Sequence, residues 1–293
     1  MKVEFQCANC IFHRGISEIA EATVDPSLQF KVASALFHLL AKEFKPTAVP
    51  AYLGTKRDRL IKKMTGNSDP YAKVKQQSNR KALEFLPFAE KLILNEPSPD
   101  ARFRKACLCS IVGNVMEFDI PGHAFKYEDI GRLVQRAEEE LAVDEIAEIF
   151  NRVEKAGRIL YLTDNAGEIA FDKLLVGELK NLGAHVTVAV KGGPIINDAT
   201  MEDARYIGMD RVADSVITTG TDAVGLMLEE CSREFLDVYG SVDLVFAKGM
   251  GYVETLTELD LDFSHAFLLR TKCQPVANFL RVGKDRNVAK LTL

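Results

Sequence analysis

The chain has 293 residues, 47% hydrophobic and 27% charged, with a formal net charge of −5. That length is ample for a large buried core in one or two domains, and an acidic balance without a dense Lys/Arg run leaves no electrostatic footprint for nucleic acid. No apolar stretch approaches the roughly 18 to 20 residues of a membrane span, and residues 1–7 lack a signal-peptide apolar core, so the expectation is a cytoplasmic protein whose six cysteines stay mostly reduced.

Residues 1–153 read as a helical domain. Apolar spacing near three and four marks helices from Pro26 through Leu40, over 79–95, over 102–118 and over 127–153, and no strand alternation interrupts them. Gly66-Asn67-Ser68-Asp69-Pro70 and Asp119-Ile120-Pro121-Gly122 are turn sequences. From residue 154 to 293 the pattern changes. Short apolar runs at 159–162, 186–190, 215–218, 244–247 and 266–269 alternate with helical patterns at 169–182, 200–207 and 226–239. Strand alternating with helix predicts an α/β domain with a mainly parallel sheet and helices on both faces. Right-handed crossovers then bring the strand C-termini to one rim.

The residues that end those strands form a consistent set. The first strand stops at Asp164-Asn165, followed by the turn Ala166-Gly167 and a helical pattern from Glu168. The second ends at Lys191-Gly192-Gly193-Pro194, with Asn197-Asp198 further along the loop. The third ends at Thr218-Thr219-Gly220-Thr221-Asp222, the fourth at Lys248-Gly249, and the fifth at Arg270-Thr271-Lys272-Cys273. Carboxylate, amide, lysine and glycine together suit a hard divalent cation holding a phosphorylated ligand: the cation bridges phosphate oxygens, lysines neutralise the rest, and glycine lets backbone N–H groups approach. Asp198 follows Asp164 by 34 residues (198 − 164), about one strand–helix–strand unit, so it is the natural third ligand. Each of these residues has a plainer alternative. Asp164 or Asn165 could cap the next helix, Asp198 could cap the helix at 200–207, Asp203 suits a solvated helix face, and Lys191 could be a rim charge.

Asp164-Asn165-Ala166-Gly167-Glu168, the stretch from Lys191 to Asp198, Lys248-Gly249 followed by Glu254, and residues 268–277 together resemble the damage-control phosphatase family. In the first half, Cys7-Ala8-Asn9-Cys10, Gly66 to Tyr71 with Lys75, and Gly113-Asn114 with Phe118 are similar to its smaller, cysteine-containing prokaryotic subgroup. The resemblance spans nearly the whole chain. It implies a helical N-terminal domain packed on a Rossmann-like three-layer α/β/α domain, and divalent-metal-dependent hydrolysis (Mg, Mn, Co or Ni) of phosphorylated small metabolites. It also implies Asp164, Asn165 and Asp198 as metal ligands, Lys248 and Lys272 as phosphate contacts, and Asn114 reaching in from the helical half. Gly167, Lys191 and Gly249 complete the expected substrate contacts. Tyr252 departs from the pattern, because many relatives carry Asn in this loop; that departure bears on the substrate.

In the expected reaction, Asp164, Glu168 and Lys248 are the catalytic candidates. The nucleophile is either water or the Asp164 carboxylate, between which the sequence does not choose. Glu168 is placed to orient or deprotonate water, or else to complement the helix dipole. Cys7-x-x-Cys10 has metal-ligand or redox spacing, and Cys107 or Cys109 could add a third thiolate. Both of that pair cannot face one ion, since two residues turn a helix by about 200°. A second site of Cys7, Cys10 and Cys107 for Zn or Fe is therefore one reading, with His13 as an extra ligand; small buried side chains are the other. Cys231 reads as a core residue on a helix, and Cys273 sits near the rim. Two competitors stand beside the phosphatase. An S-adenosylmethionine-dependent methyltransferase wants a glycine-rich loop after the first strand and an acidic end to the second, where this chain has Lys191. The other is a non-catalytic metal or phosphometabolite module.

Overall fold

The computed structural model describes residues 1–115 and 127–292. Among these, six helices precede the first strand: α1 (Cys7–Ala22), α2 (Pro26–Glu43), α3 (Pro50–Thr65), α4 (Ala72–Leu94), α5 (Pro99–Val115) and α6 (Tyr127–Glu139). Helices α2, α4 and α5 lie where the apolar spacing predicts. Asp25 starts α2 by accepting the Ser27 N–H at 2.9 Å, with Pro26 in the first turn. Helix α3 stops at Gly66, whose φ of 75° provides the left-handed cap. Neither α1 nor α3 stands out in the sequence. Their facing surfaces carry Glu18, Arg57 and Asp58, all buried, which break the apolar period. The charges are tolerated because they are paired: Arg57 Nε donates to Glu18 at 3.0 Å. Ile19, Val32, Leu36 and Ile61 fill the space between the three helices.

The expected single helix over 127–153 is instead three elements, α6, β1 (Leu141–Asp144) and α7 (Ile146–Val153). Strand β1 alternates half-buried with exposed residues, and four residues carry too short a pattern to stand out between two amphipathic helices. It pairs in parallel with β7 (Asn287–Thr292), so the sheet draws a strand from the first half of the chain.

The other strands are β2 (Arg158–Leu162), β3 (His185–Val190), β4 (Ser215–Thr218), β5 (Leu244–Lys248) and β6 (Ser264–Arg270), each matching a predicted run to within two residues. Sheet order is β1-β7-β6-β5-β2-β3-β4. Strands β4, β3, β2, β5 and β6 are parallel, and among the described strands β6 and β7 pair antiparallel. Successive residues of β2 point to opposite faces. Ile159 and Tyr161 pack with α5 and α8 (Glu168–Asn181), and Leu160 and Leu162 with α10 (Arg233–Tyr239), α11 (Met250–Leu256) and α12 (Gln274–Leu280). Burial of each large apolar side chain in these two layers contributes roughly 1.5–3 kcal/mol. The architecture is therefore mixed α/β with a mostly parallel sheet, as expected. Residues 228–230 form a separate 3-10 turn, and Cys231 lies between it and α10 rather than on one long helix. No helix among the described residues is long and apolar enough to cross a membrane.

Candidate active site

Strand order reverses at β2. The chain adds β3 and β4 on one side of it, then returns to add β5 and β6 on the other. The crevice beyond the C-termini of β2 and β5 is where such sheets bind ligands, and Asp164 and Lys248 stand there.

Two loops are joined at this point. Ala199 N–H donates to the Asp164 carbonyl at 2.8 Å, Ala166 N–H donates to the Asn197 carbonyl at 2.9 Å, and Asn165 and Asp198 form an antiparallel bridge. Asp164, Asn165 and Asp198, from two different loops, are thereby brought side by side. Their capping alternatives fall away. Helix α8 is preceded by Gly167 with no side-chain cap. Helix α9 (Met201–Ile207) begins at Thr200, whose N–H and hydroxyl both donate to Asp203, at 2.8 and 2.7 Å. Asp203 is buried rather than solvated.

The electrostatics are those of crowded carboxylates. Burial pushes the Asp164 carboxyl well above its ordinary range, Glu168 and Asp198 add to the push, and Lys272 and Lys191 pull back. Burial likewise raises Asp198 to about 6, against the pull of Lys191. A divalent cation would relieve this repulsion, and two carboxylates with an amide oxygen form a hard-oxygen donor set, so the residues fit a metal such as Mg or Mn. In the present arrangement Asn165 Nδ2 donates to Asp164 at 3.0 Å and to Glu168 at 2.9 Å.

The lysines are held more tightly than their rim position suggests. Lys248 is fully buried, and its Nζ donates to Glu168 at 2.6 Å, to Asp172 at 2.9 Å and to the Ser110 carbonyl at 3.0 Å. Asp172 also accepts the Ser110 hydroxyl at 2.7 Å and the Tyr161 hydroxyl at 2.8 Å. The sequence reading missed Asp172, Ser110 and Tyr161. Asp172 follows Glu168 by four residues on α8, a spacing that puts both on one helix face and was available as a signal. Lys191 is not a rim charge. It is buried, donates to the Gly225 carbonyl at 2.6 Å and to the Tyr252 hydroxyl at 3.3 Å, and lies 3.6 Å from Asp198. Its Nζ sits 4.7 Å from the Tyr252 ring centroid. Tyr252 is buried against this lysine, and its hydroxyl accepts the Lys191 hydrogen bond. Lys272 is half-buried and within electrostatic reach of Asp164.

Gly167 does not offer its N–H to a ligand, because that group donates to Asn79 Oδ1 at 2.7 Å. Asn79, on α4, also donates to Asp203 at 2.7 Å; nothing in the sequence marked it. Asn114 belongs to α5, but its side chain lies outside the described residues, as does Phe118.

The proposed cysteine trio is not assembled. Cys7 packs with Ile11 and Leu53 on the α1 side, whereas Cys107 is in the core between α5 and the sheet, near Lys248. Spacing along the chain does not report this separation. Cys273, not Cys107, shares the neighbourhood of Cys7 and Cys10. Among the described residues no group of three or more His, Cys, Asp or Glu side chains is placed to hold a metal ion. The Asp164–Asn165–Asp198 set, with two carboxylates, falls outside that description.

Residues 4–288 match the damage-control phosphatase ARMT1-like domain. The chain belongs to this family. It is 35% identical over 292 residues to a damage-control phosphatase of Archaeoglobus fulgidus, covering 99% of both chains. It is also 35% identical over 286 residues to one from Pyrococcus horikoshii, covering 97% of this chain and 96% of the relative. An uncharacterized protein of Methanocaldococcus jannaschii is 37% identical over 292 residues, covering 98% and 95%. The crystal structure of a DUF89 family protein from Pyrococcus horikoshii superimposes with a TM-score of 0.87 at 34% identity, covering 99% and 98%. The buried Lys191 just after β3 offers no acidic partner for the ribose hydroxyl that a methyltransferase cofactor would present.

Proposed function

We propose that this member of the damage-control phosphatase family hydrolyses phosphomonoesters of small metabolites, sugar phosphates or damaged relatives of them, with a divalent cation on Asp164, Asn165 and Asp198. The observation that carries the reading is the stitching of the 164–166 turn to the 197–199 loop at the sheet's switch point. Names of full-length relatives support the reaction class.

When bound, the cation supplies Lewis-acid stabilisation of charge on phosphoryl oxygens. The chain's own groups divide the remaining work. Glu168 turns one carboxylate oxygen to Lys248 and the other to Asn165, which holds it in place to orient an attacking water or take its proton. Lys248, enclosed by three acceptors, acts on Glu168 rather than on phosphate. Lys272, the half-buried lysine near Asp164, is the side chain we assign to the phosphate. A cavity of about 780 Å³ flanks the loop leading to Asp198, lined by Arg59, Lys62, Gly192, Gly193, Thr221 and Asp222 among others. That is room for a small polar metabolite.

The test is a screen of sugar phosphates with added Mg, Mn, Co or Ni, on wild type and on Asp164→Ala. The expected result is turnover that EDTA abolishes and metal restores, with at least a hundredfold loss, on the order of removing a principal electrostatic group, in the folded variant. Hydrolysis indifferent to EDTA, or a variant near the wild-type rate, would refute the reading.

A further inference from the structure

Ile196 lies two residues before Asp198 and has a φ of 46°. A β-branched residue takes that left-handed backbone only when its surroundings impose it. Two side chains on α3 do so. Asp58, fully buried, accepts the Ile196 N–H through Oδ1 at 3.1 Å. One helical turn on, Lys62 donates to the Pro194 carbonyl at 2.5 Å and pairs with Asp58 at 2.7 Å. The Asp198 N–H donates to the Ile195 carbonyl at 3.0 Å. The two α3 contacts therefore flank Ile195, whose carbonyl anchors Asp198.

We propose that Asp58 and Lys62 are positioning residues that set the aim of the Asp198 carboxylate by fixing the 194–196 segment. The inference rests on the reading of Asp164, Asn165 and Asp198 as a cation site, and gives the helical half a part in it. Groups that orient ligands without touching the metal typically change its affinity ten- to a hundredfold, a figure of about that order being expected here. Asp58 does this through one hydrogen bond to backbone. Lys62 does it through another, on the opposite side of Ile195.

Isothermal titration of Mn²⁺ into the full chain, with thermal melts alongside, tests this on wild type, Asp58→Ala, Asp58→Asn and Lys62→Met. Both Asp58 substitutions remove the charge, but only asparagine keeps an oxygen for the Ile196 N–H. The account expects Asp58→Ala to bind about tenfold or more weakly than wild type, with Asp58→Asn recovering most of the difference. Lys62→Met gives an independent sign. Losing a nearby positive charge would by electrostatics alone tighten cation binding, whereas loss of positioning weakens it. Should Asp58→Ala not fold, Asp58→Asn and Lys62→Met still decide the matter. Equal affinities for alanine and asparagine, or tighter binding by Lys62→Met, would overturn the inference alone. A wild-type chain that binds no Mn²⁺ would overturn the cation-site reading and this inference with it.

Discussion

A side chain at Gly249 would collide with the Asp164 carboxylate, and Gly249 holds a φ of 80°. The backbone just after β5 thus presses against Asp164, the second residue after β2. Gly249→Ala therefore faces a left-handed backbone, costing about 1–2 kcal/mol, and must displace Asp164 as well. Urea unfolding should show at least that loss of stability, and hydrolysis should fall with it. A variant as stable and as active as wild type would contradict so close an approach.

The Lys248 ammonium pairs with both Glu168 and Asp172 in a place closed to water. Removing one partner of a buried charge cluster typically costs about 3–5 kcal/mol. Lys248→Met should lose that much in urea unfolding, and Lys248→Met combined with Asp172→Asn should lose less than the two single losses added. A loss below about 1 kcal/mol, the range of surface pairs, would mean the cluster is not closed to solvent.

These two sites also mark how much the sequence disclosed. Strands β2 to β6 were legible because buried parallel strands are nearly continuous apolar runs, and the polar residues that end them pointed to the rim. Strand β7 and the four-residue edge strand β1 carry mixed patterns and were not. The clustering of Asp164 with Asp198 followed from topology, but Lys248 read as a phosphate contact because its partners on α5 and α8 are distant in sequence or hidden within a helix. Cys107 was grouped with Cys7 and Cys10 on residue type alone, which carries no spatial information. Asn79 and Asp58 act through backbone groups, and a single asparagine or aspartate on a helix has no pattern to announce that.

Metal affinity should depend on pH in a defined direction. Burial raises both Asp164 and Asp198, the latter to about 6, against roughly 3.9 in an unfolded chain. Each carboxyl therefore binds its proton more tightly in the metal-free fold, so that fold loses stability as pH rises from about 4 through 6. A cation needs the deprotonated forms. Mn²⁺ titrations at pH 5.5, 6.5 and 7.5 should show affinity climbing with pH, with protons released to the buffer. Affinity that is flat over this window would remove the coupled carboxylates from the binding site.

Asn79, on α4, links the turn at Gly167 to helix α9, accepting the Gly167 N–H and donating to Asp203. Asn79→Ala leaves a buried donor and a buried acceptor without this partner, at about 1–3 kcal/mol each. The predicted outcome is a lower melting temperature and faster amide exchange at Gly167 and Thr200. Unchanged exchange at both positions would show that the link does not hold these two segments.

The central claim is met most directly by crystals soaked in manganese, read by anomalous scattering. The account predicts one strong peak roughly 2–2.5 Å from oxygens of Asp164, Asn165 and Asp198, with the amide oxygen of Asn165 facing the ion. No peak there, or a peak elsewhere with these three side chains unmoved, would contradict it.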